Sequence, residues 1–130
     1  MKKYLLIALI GFCGLSSCNK GATSPCVETK SASAIVSEFP ETVKVGTVQT
    51  IEIKYIIESN CGDFEHFEVT QDGAAFNVAI VTKYEGCSCK LELVERSAFF
   101  DVDIDFPGVY QFNFWLADGD FDSRTVTVFE

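Results

Sequence analysis

The sequence predicts an all-β protein that folds as an antiparallel sandwich of two sheets with seven or eight strands. Apolar and polar residues alternate in several short runs, which gives each strand one buried and one exposed face. Turn sequences containing Gly, Pro, Asn or Asp separate these runs, and no window longer than about ten residues has helical spacing. The 130 residues suit one domain with one core, so we expect the two sheets to pack face to face.

Residues 1–17 have the three zones of a secretory signal peptide. Lys2 and Lys3 form a positive start, an apolar run covers residues 4–12, and small residues follow up to position 17. The apolar run is shorter than the ~20 residues that a membrane-spanning helix needs. We therefore expect residues 1–17 to be removed from the mature protein.

The sequence Leu15-Ser16-Ser17-Cys18 resembles the lipobox of bacterial lipoprotein precursors. This resemblance implies that acyl chains such as palmitate are attached at Cys18, and that the chain is cleaved just before it. A multiply acylated cysteine stays on a membrane without spanning it. Asn19 follows the cysteine, and by analogy with enterobacterial lipoproteins a residue other than Asp there favours the outer membrane of the cell envelope, facing either the periplasm or the outside. The alternative is ordinary cleavage that leaves Cys18 as a plain thiol.

The mature chain divides into a tether and a sandwich. Residues 18–33 are small, polar and rich in turn formers, which predicts the lipidated cysteine followed by a flexible tether. From residue 34 to residue 130 the alternating pattern dominates, and this part is expected to form the sandwich. Its inward-facing residues are expected to include Ile51, Ile53, Tyr55, Ile57, Phe76, Val78, Ile80, Tyr84, Phe100, Val102, Ile104, Phe106, Tyr110, Phe112, Phe114, Leu116, Val126 and Val128.

The last third of the chain carries a second resemblance. The segment 106–110, Phe-Pro-Gly-Val-Tyr, leads into an alternating strand, an Asp-Gly turn and a closing strand. This arrangement resembles the F–G hairpin of immunoglobulin-like and PKD-like domains of bacterial surface proteins, and segment 43–57 resembles their A′–B segment. The resemblance covers roughly residues 40–130 and implies an immunoglobulin-like sandwich in which the Tyr110 hydroxyl bonds back to the preceding corner. Trp115 lies in the F strand rather than the C strand, so the antibody framework is absent, and the resemblance implies a fold rather than a function.

Four cysteines follow Cys18, and paired thiols outside the cytosol usually oxidise. A bridge between Cys87 and Cys89 would join positions i and i+2 of a strand, close to the limit of disulfide geometry. We therefore expect Cys26 and Cys61 to be the partners of Cys87 and Cys89, in either combination. The alternatives are free thiols, or a soft-metal or redox site that combines Cys61, Cys87 and Cys89 with the only histidine, His66.

Three aspartates at alternate positions, Asp118, Asp120 and Asp122, form a weak calcium candidate because calcium prefers several carboxylate oxygens. An EF-hand loop is excluded, since Ser123 and Phe129 occupy its glycine and glutamate positions. The favoured interpretation is a hairpin turn with solvated acids. No metal or other cofactor is therefore expected.

Three apolar residues stand at positions where their strands otherwise place polar side chains: Ile56, Val81 and Trp115. Exposed apolar residues with acidic neighbours suit a protein partner or stacking on a sugar ring. The alternative is that these residues contact the tether, a loop or the second sheet.

The net charge of −9 and a pI near 4.5 argue against nucleic-acid binding. His66 is the only histidine and has no hydrolase motif beside it, so we expect no enzyme, although paired carboxylates of the glycosidase type are present. The sequence predicts a lipid-anchored, non-catalytic binding module with a protein or glycan partner. The alternatives are a structural or accessory subunit that joins a complex by edge-strand addition, and a carbohydrate-binding lipoprotein.

Overall fold

The computed structural model describes residues 26–130. Cys18, the signal segment and the first half of the expected tether lie outside the described residues. The described part contains eight strands, and no helix in it is long and apolar enough to cross a membrane. The strands are β1 (Val27–Ala32), β2 (Thr42–Lys44), β3 (Gln49–Ser59), β4 (Gly62–Asp72), β5 (Ala75–Glu85), β6 (Leu91–Val102), β7 (Gly108–Ala117) and β8 (Asp120–Phe129).

The alternation along β3 shows why these segments become strands. Ile51, Ile53, Tyr55 and Ile57 are buried, while the residues between them point towards solvent or are half-buried. β-Branched and aromatic side chains fit a pleated, half-buried surface, and burying one complete face requires the extended backbone. The predicted all-β class and the inward face of β3 are confirmed.

Two sheets form the sandwich. The larger sheet has six strands: β5 pairs with β4 along one edge, and with both β1 and β7 along the other. β7 then pairs with β8, and β8 with β2. The smaller sheet contains only β3 and β6, which are antiparallel.

The expectation of a purely antiparallel sandwich is wrong, because β2 pairs with β8 and β5 pairs with β7 in parallel. The chain leaves β5, passes through β6 in the other sheet and returns as β7. An even number of reversals separates β5 from β7, so the two strands run in the same direction. Alternation reveals the buried face of a strand but not its neighbour.

The sandwich also begins earlier than residue 34, the start expected from composition. Residues 27–32, which the composition places in the tether, form β1 and pair antiparallel with β5 from Val27↔Glu85 to Ala32↔Ile80. The hydroxyl of Thr82 donates to the carbonyl of Lys30 at 2.8 Å and reinforces this pairing. Small polar residues obscure the strand in the sequence because most of β1 is not buried.

Aromatic side chains fill the space between the sheets. Phe100 of β6 makes edge-to-face contacts with Phe67 of β4 at 5.1 Å and with Phe112 and Phe114 of β7 at 6.1 Å. Such pairs stabilise a core beyond the burial of their area. Phe39, in the connection before β2, lies 5.4 Å from Phe112 and closes the core on that side.

Candidate functional site

The four cysteines of the described region form two disulfides at one end of the sandwich. Cys26 pairs with Cys87, with Cα atoms 5.1 Å apart, and Cys61 pairs with Cys89, with Cα atoms 5.7 Å apart. The expectation that Cys87 and Cys89 bond to Cys26 and Cys61 rather than to each other is confirmed. The structure also decides between the two combinations that the sequence leaves open.

Backbone hydrogen bonds support this disulfide end, which we define as Cys26, residues 59–62 and residues 85–91. The amide of Gly86 donates to the carbonyl of Cys26 at 2.8 Å, and the amide of Glu85 donates to the carbonyl of Cys61 at 3.2 Å. The side-chain carbonyl of Asn60 accepts from the backbone amide of Lys90 at 2.9 Å, and the backbone amide of Asn60 donates to the Lys90 carbonyl at 3.1 Å. The start of β1 and both turns are therefore joined into one unit.

The disulfides contradict the metal-site alternative, because a bridged sulfur carries no thiolate for a metal. His66 lies exposed on β4, with Nδ1 3.6 Å from a carboxylate oxygen of Glu65. Within residues 26–130 no group of three or more His, Cys, Asp or Glu side chains is placed to hold a metal ion.

The aspartates of the calcium candidate lie at the β7–β8 hairpin and have separate surroundings. Asp122 is bound by Arg124, whose Nε and Nη2 donate to the two carboxylate oxygens at 2.9 and 3.0 Å. This hydrogen bond, with the Asp122 charge, raises the pKa of Arg124 despite some desolvation. Asp118 and Asp120 are exposed, and Gly119 between them has the positive φ of 77° that the turn requires. Of the three aspartates, Asp122 therefore has an ion-pair partner within the protein, Arg124.

Ile56 and Trp115, two of the three residues of the predicted ligand surface, line one groove of about 380 Å³. The groove lies between β1 and its continuation on one side and the outer face of the smaller sheet on the other. Ala34 donates its amide to the Trp115 carbonyl at 3.2 Å, and Ser33 donates to the Leu116 carbonyl. These bonds fix the wall of the groove against the end of β7. Its other lining residues are Lys30, Ser31, Ala32, Ser33, Ile35, Glu58, Tyr84, Leu93 and Leu116.

The charged groups of the groove are a single ion pair, which lies beside a tyrosine. Lys30 is paired with Glu58, and its ammonium group lies 4.7 Å from the centre of the Tyr84 ring. The hydrogen bond from Lys30 to Glu58 raises the pKa of the lysine, against a smaller opposing effect of burial. The Tyr84 hydroxyl accepts from the amide of Glu58 at 3.0 Å. Apolar walls with one ion pair can hold an apolar or ring-shaped group whose edge is polar.

Val81 is not part of this groove. It lies half-buried on β5, opposite Ser31 of β1 and His66 of β4. The neighbouring strands therefore flank it on the outer face of the larger sheet. Lys30 and Leu93, by contrast, line the groove, although the sequence gives no signal for either. Lys30 is hidden because its strand has the composition of a tether.

The Tyr110 hydroxyl donates to the carbonyl of Phe106 at 2.9 Å. This is the bond expected of a tyrosine corner, in which a ring packs inward and its hydroxyl ties down the preceding turn. The Tyr110 ring also lies 6.1 Å from Phe76. The predicted bond is confirmed and holds the entry to β7.

Comparison with known proteins gives no further guide. Neither a protein-family model nor a curated protein nor a solved structure matches this chain.

Proposed function

We propose that this protein is a lipoprotein of the cell envelope, anchored to the outer membrane through lipid on Cys18. We further propose that its β-sandwich acts by binding rather than by catalysis. The lipobox-like sequence before Cys18 carries the anchor proposal. The two disulfides support it, since such bonds persist in oxidising compartments outside the cytosol.

The anchor is tested with Cys18→Ser, and Cys13→Ser in the signal segment is the matched control. We expect an acyl mass on the N-terminal peptide of the wild type and of the control, both recovered in the membrane fraction. Cys18→Ser should lose the acyl mass and leave the membrane fraction. An unmodified thiol at position 18 in native cells would refute the anchor.

The finer fold assignment, an immunoglobulin-like sandwich, belongs to the same proposal. The Tyr110 corner and the closing β7–β8 hairpin support it. The parallel pairing of β5 with β7 is a departure from the antiparallel sheets of that fold. A domain of this kind supplies a rigid frame on which a binding surface is carried.

The groove lined by Ile56 and Trp115 supports the binding role, because it gathers exposed apolar groups around a single ion pair. A protein side chain or a sugar ring both fit such a surface. The carbohydrate alternative predicts that Trp115→Ala removes retention on a polysaccharide column, whereas Phe99→Ala, at an exposed aromatic residue outside the groove, keeps it. If both variants are still retained, the groove holds no sugar. If both lose retention, the sugar site is not specific to the groove.

A second candidate role, an accessory subunit joined by edge-strand addition, is favoured by the free edge of β6. Among residues 26–130 no strand pairs with the edge of β6 that faces away from β3. Val69 of β4 pairs with the buried Val78 and so lies on the core-facing side of its sheet, yet 46% of it is exposed. The smaller sheet is therefore too narrow to cover β4. An added strand would pair with β6 and cover this apolar surface.

Mild crosslinking in native membranes tests the accessory role. We expect a fixed partner in the wild type, at least tenfold less of it in Val69→Lys, and an unchanged yield in Val109→Lys, where the changed residue is exposed on β7. A yield equal in the two variants would show that the β4–β6 side does not hold the partner.

A further inference from the structure

Leu91 and Leu93 are the two most exposed large apolar residues of the described chain. They are 87% and 76% exposed. They lie two positions apart at the start of β6, where the pairing with β3 shifts register by one residue. Leu91 stands opposite the core-facing Ser59, whereas Leu93 lies beside Ile56 on the outer face, and both are exposed at the same end of the strand. Leu91 is the last residue of the disulfide end, two residues beyond Cys89. Two neighbouring leucines in water are unfavourable unless another surface covers them.

The same end of the sandwich receives the chain from the proposed anchor. Cys26 is bonded to Cys87, which is only four residues before Leu91. Cys26 lies eight positions after Cys18, and at ~3.3–3.6 Å per residue this segment reaches at most about 29 Å. The disulfide therefore limits how far the leucine pair can lie from the surface that holds Cys18.

We propose that Leu91 and Leu93 insert into the lipid surface at which Cys18 is anchored, so that the disulfide end of the sandwich rests on the bilayer. This inference rests on the proposed anchor and adds an orientation to it. The anchor makes the second contact intramolecular, and such a contact needs little affinity of its own. The opposite end of β6, and with it Phe106, then points away from the membrane.

The charges around the leucines indicate which lipid they meet. Glu92 lies between them in the sequence and is exposed, while Glu95 is paired with Lys54. The chain as a whole carries a net charge of −9, which anionic headgroups would repel. We therefore expect the contact on zwitterionic lipid and a weaker contact on strongly anionic lipid.

Tryptophan fluorescence in the full acylated protein tests the contact. Trp115 is the only tryptophan, so Trp115→Phe provides a background into which Leu91→Trp, Leu93→Trp or the control Phe106→Trp is introduced. The proteins are purified from native membranes with their lipid and placed in phosphatidylcholine vesicles whose acyl chains carry bromine, which quenches tryptophan on contact. Intact mass confirms the acyl chains and both disulfides.

We expect at least a twofold loss of fluorescence for Leu91→Trp and Leu93→Trp, and no loss for Phe106→Trp. Adding phosphatidylglycerol should weaken the quenching. If the acylated Leu91→Trp and Leu93→Trp proteins are quenched no more than the acylated Phe106→Trp protein, this inference is wrong and the anchor stands. A protein without acyl chains would overturn both together.

Discussion

Gly86 is the residue on which the disulfide end depends most directly. Its φ is +139°, and a Cβ atom there would lie 2.9 Å from Sγ of Cys61 and 3.2 Å from Sγ of Cys89. Glycine is therefore required both for the backbone conformation and for the close approach of the second disulfide.

Gly86→Ala is expected to cost about 2–3 kcal/mol of unfolding free energy, since it combines an unfavourable φ with a steric clash. Gly119→Ala is the matched control: Gly119 also has a positive φ, of 77°, but nothing lies within 4 Å of its added Cβ, so it should cost only about 1 kcal/mol. Denaturant unfolding measures both. Equal losses would show that the approach of Cys61 and Cys89 is not restrictive.

Tyr55 provides a pH-dependent test at the same scale. Burial, with a smaller effect of the Asp63 charge, raises the pKa of the Tyr55 hydroxyl above its usual 10.0. The folded protein thus holds this proton to higher pH than the unfolded chain. Its contribution to stability is complete below pH ~10 and is lost as the pH rises through the folded pKa. We expect the unfolding free energy of Tyr55→Phe to fall less between pH ~7 and ~11 than that of the wild type, and an identical fall would contradict this.

β1 is the element whose place depends most on a crosslink. It pairs with β5 alone, and only its last residue is buried. Cys26, directly before β1, is bonded to Cys87, 61 positions away. With Cys26→Ser and Cys87→Ser, the amides of residues 27–32 should exchange hydrogen much faster than those of β7, because little apolar burial holds them.

The other disulfide is the control for β1. With Cys61→Ser and Cys89→Ser, we expect β1 to keep its protection relative to β7, while the β3–β4 turn and residues 85–90 become faster. Hydrogen exchange followed by mass spectrometry resolves these segments. Protection of β1 that survives loss of Cys26–Cys87 would show that its pairing with β5 is sufficient.

At the scale of the molecule, an excess of acidic residues acts against the folded state. The sequence has 19 Asp and Glu against 10 Lys and Arg, and compaction brings like charges together. Raising the salt from about 0.01 M to about 0.1 M shortens the screening length from ~30 to ~10 Å. We expect the melting temperature to rise by roughly 2–4 °C, which corresponds to about 0.5 kcal/mol.

The exposed residues Asp103 and Asp105, which follow β6, offer a control for this charge effect. Changing both to Asn should raise the melting temperature at low salt and reduce the further gain from added salt. Calorimetry at the two salt concentrations decides it. A melting temperature that falls with salt would show that the surface pairs, such as Lys83–Glu85, outweigh the general repulsion.

The predictable part of the fold was local. Alternation over Ile51–Ile57 identifies β3 and its buried face, and the Asp-Gly pairs at 72–73 and 118–119 mark turns whose glycines have positive φ. The inward expectation for Phe106 was wrong: β6 ends at Val102, and Phe106 is exposed with its carbonyl accepting from Tyr110. A pattern with period two continues past a strand's end without showing where pairing stops.

The amino-acid pattern alone predicts the strand class, most of the inward faces and the two partners that Cys87 and Cys89 share, because each depends on the geometry of a few adjacent residues. Four features become visible only in the folded protein: β1 is a strand, β5 and β7 run in parallel, Cys26 pairs with Cys87, and Ile56 and Trp115 share a groove without Val81. These features join residues tens of positions apart. They follow from how the two sheets stack, since an extended segment shows the same alternation beside any neighbour.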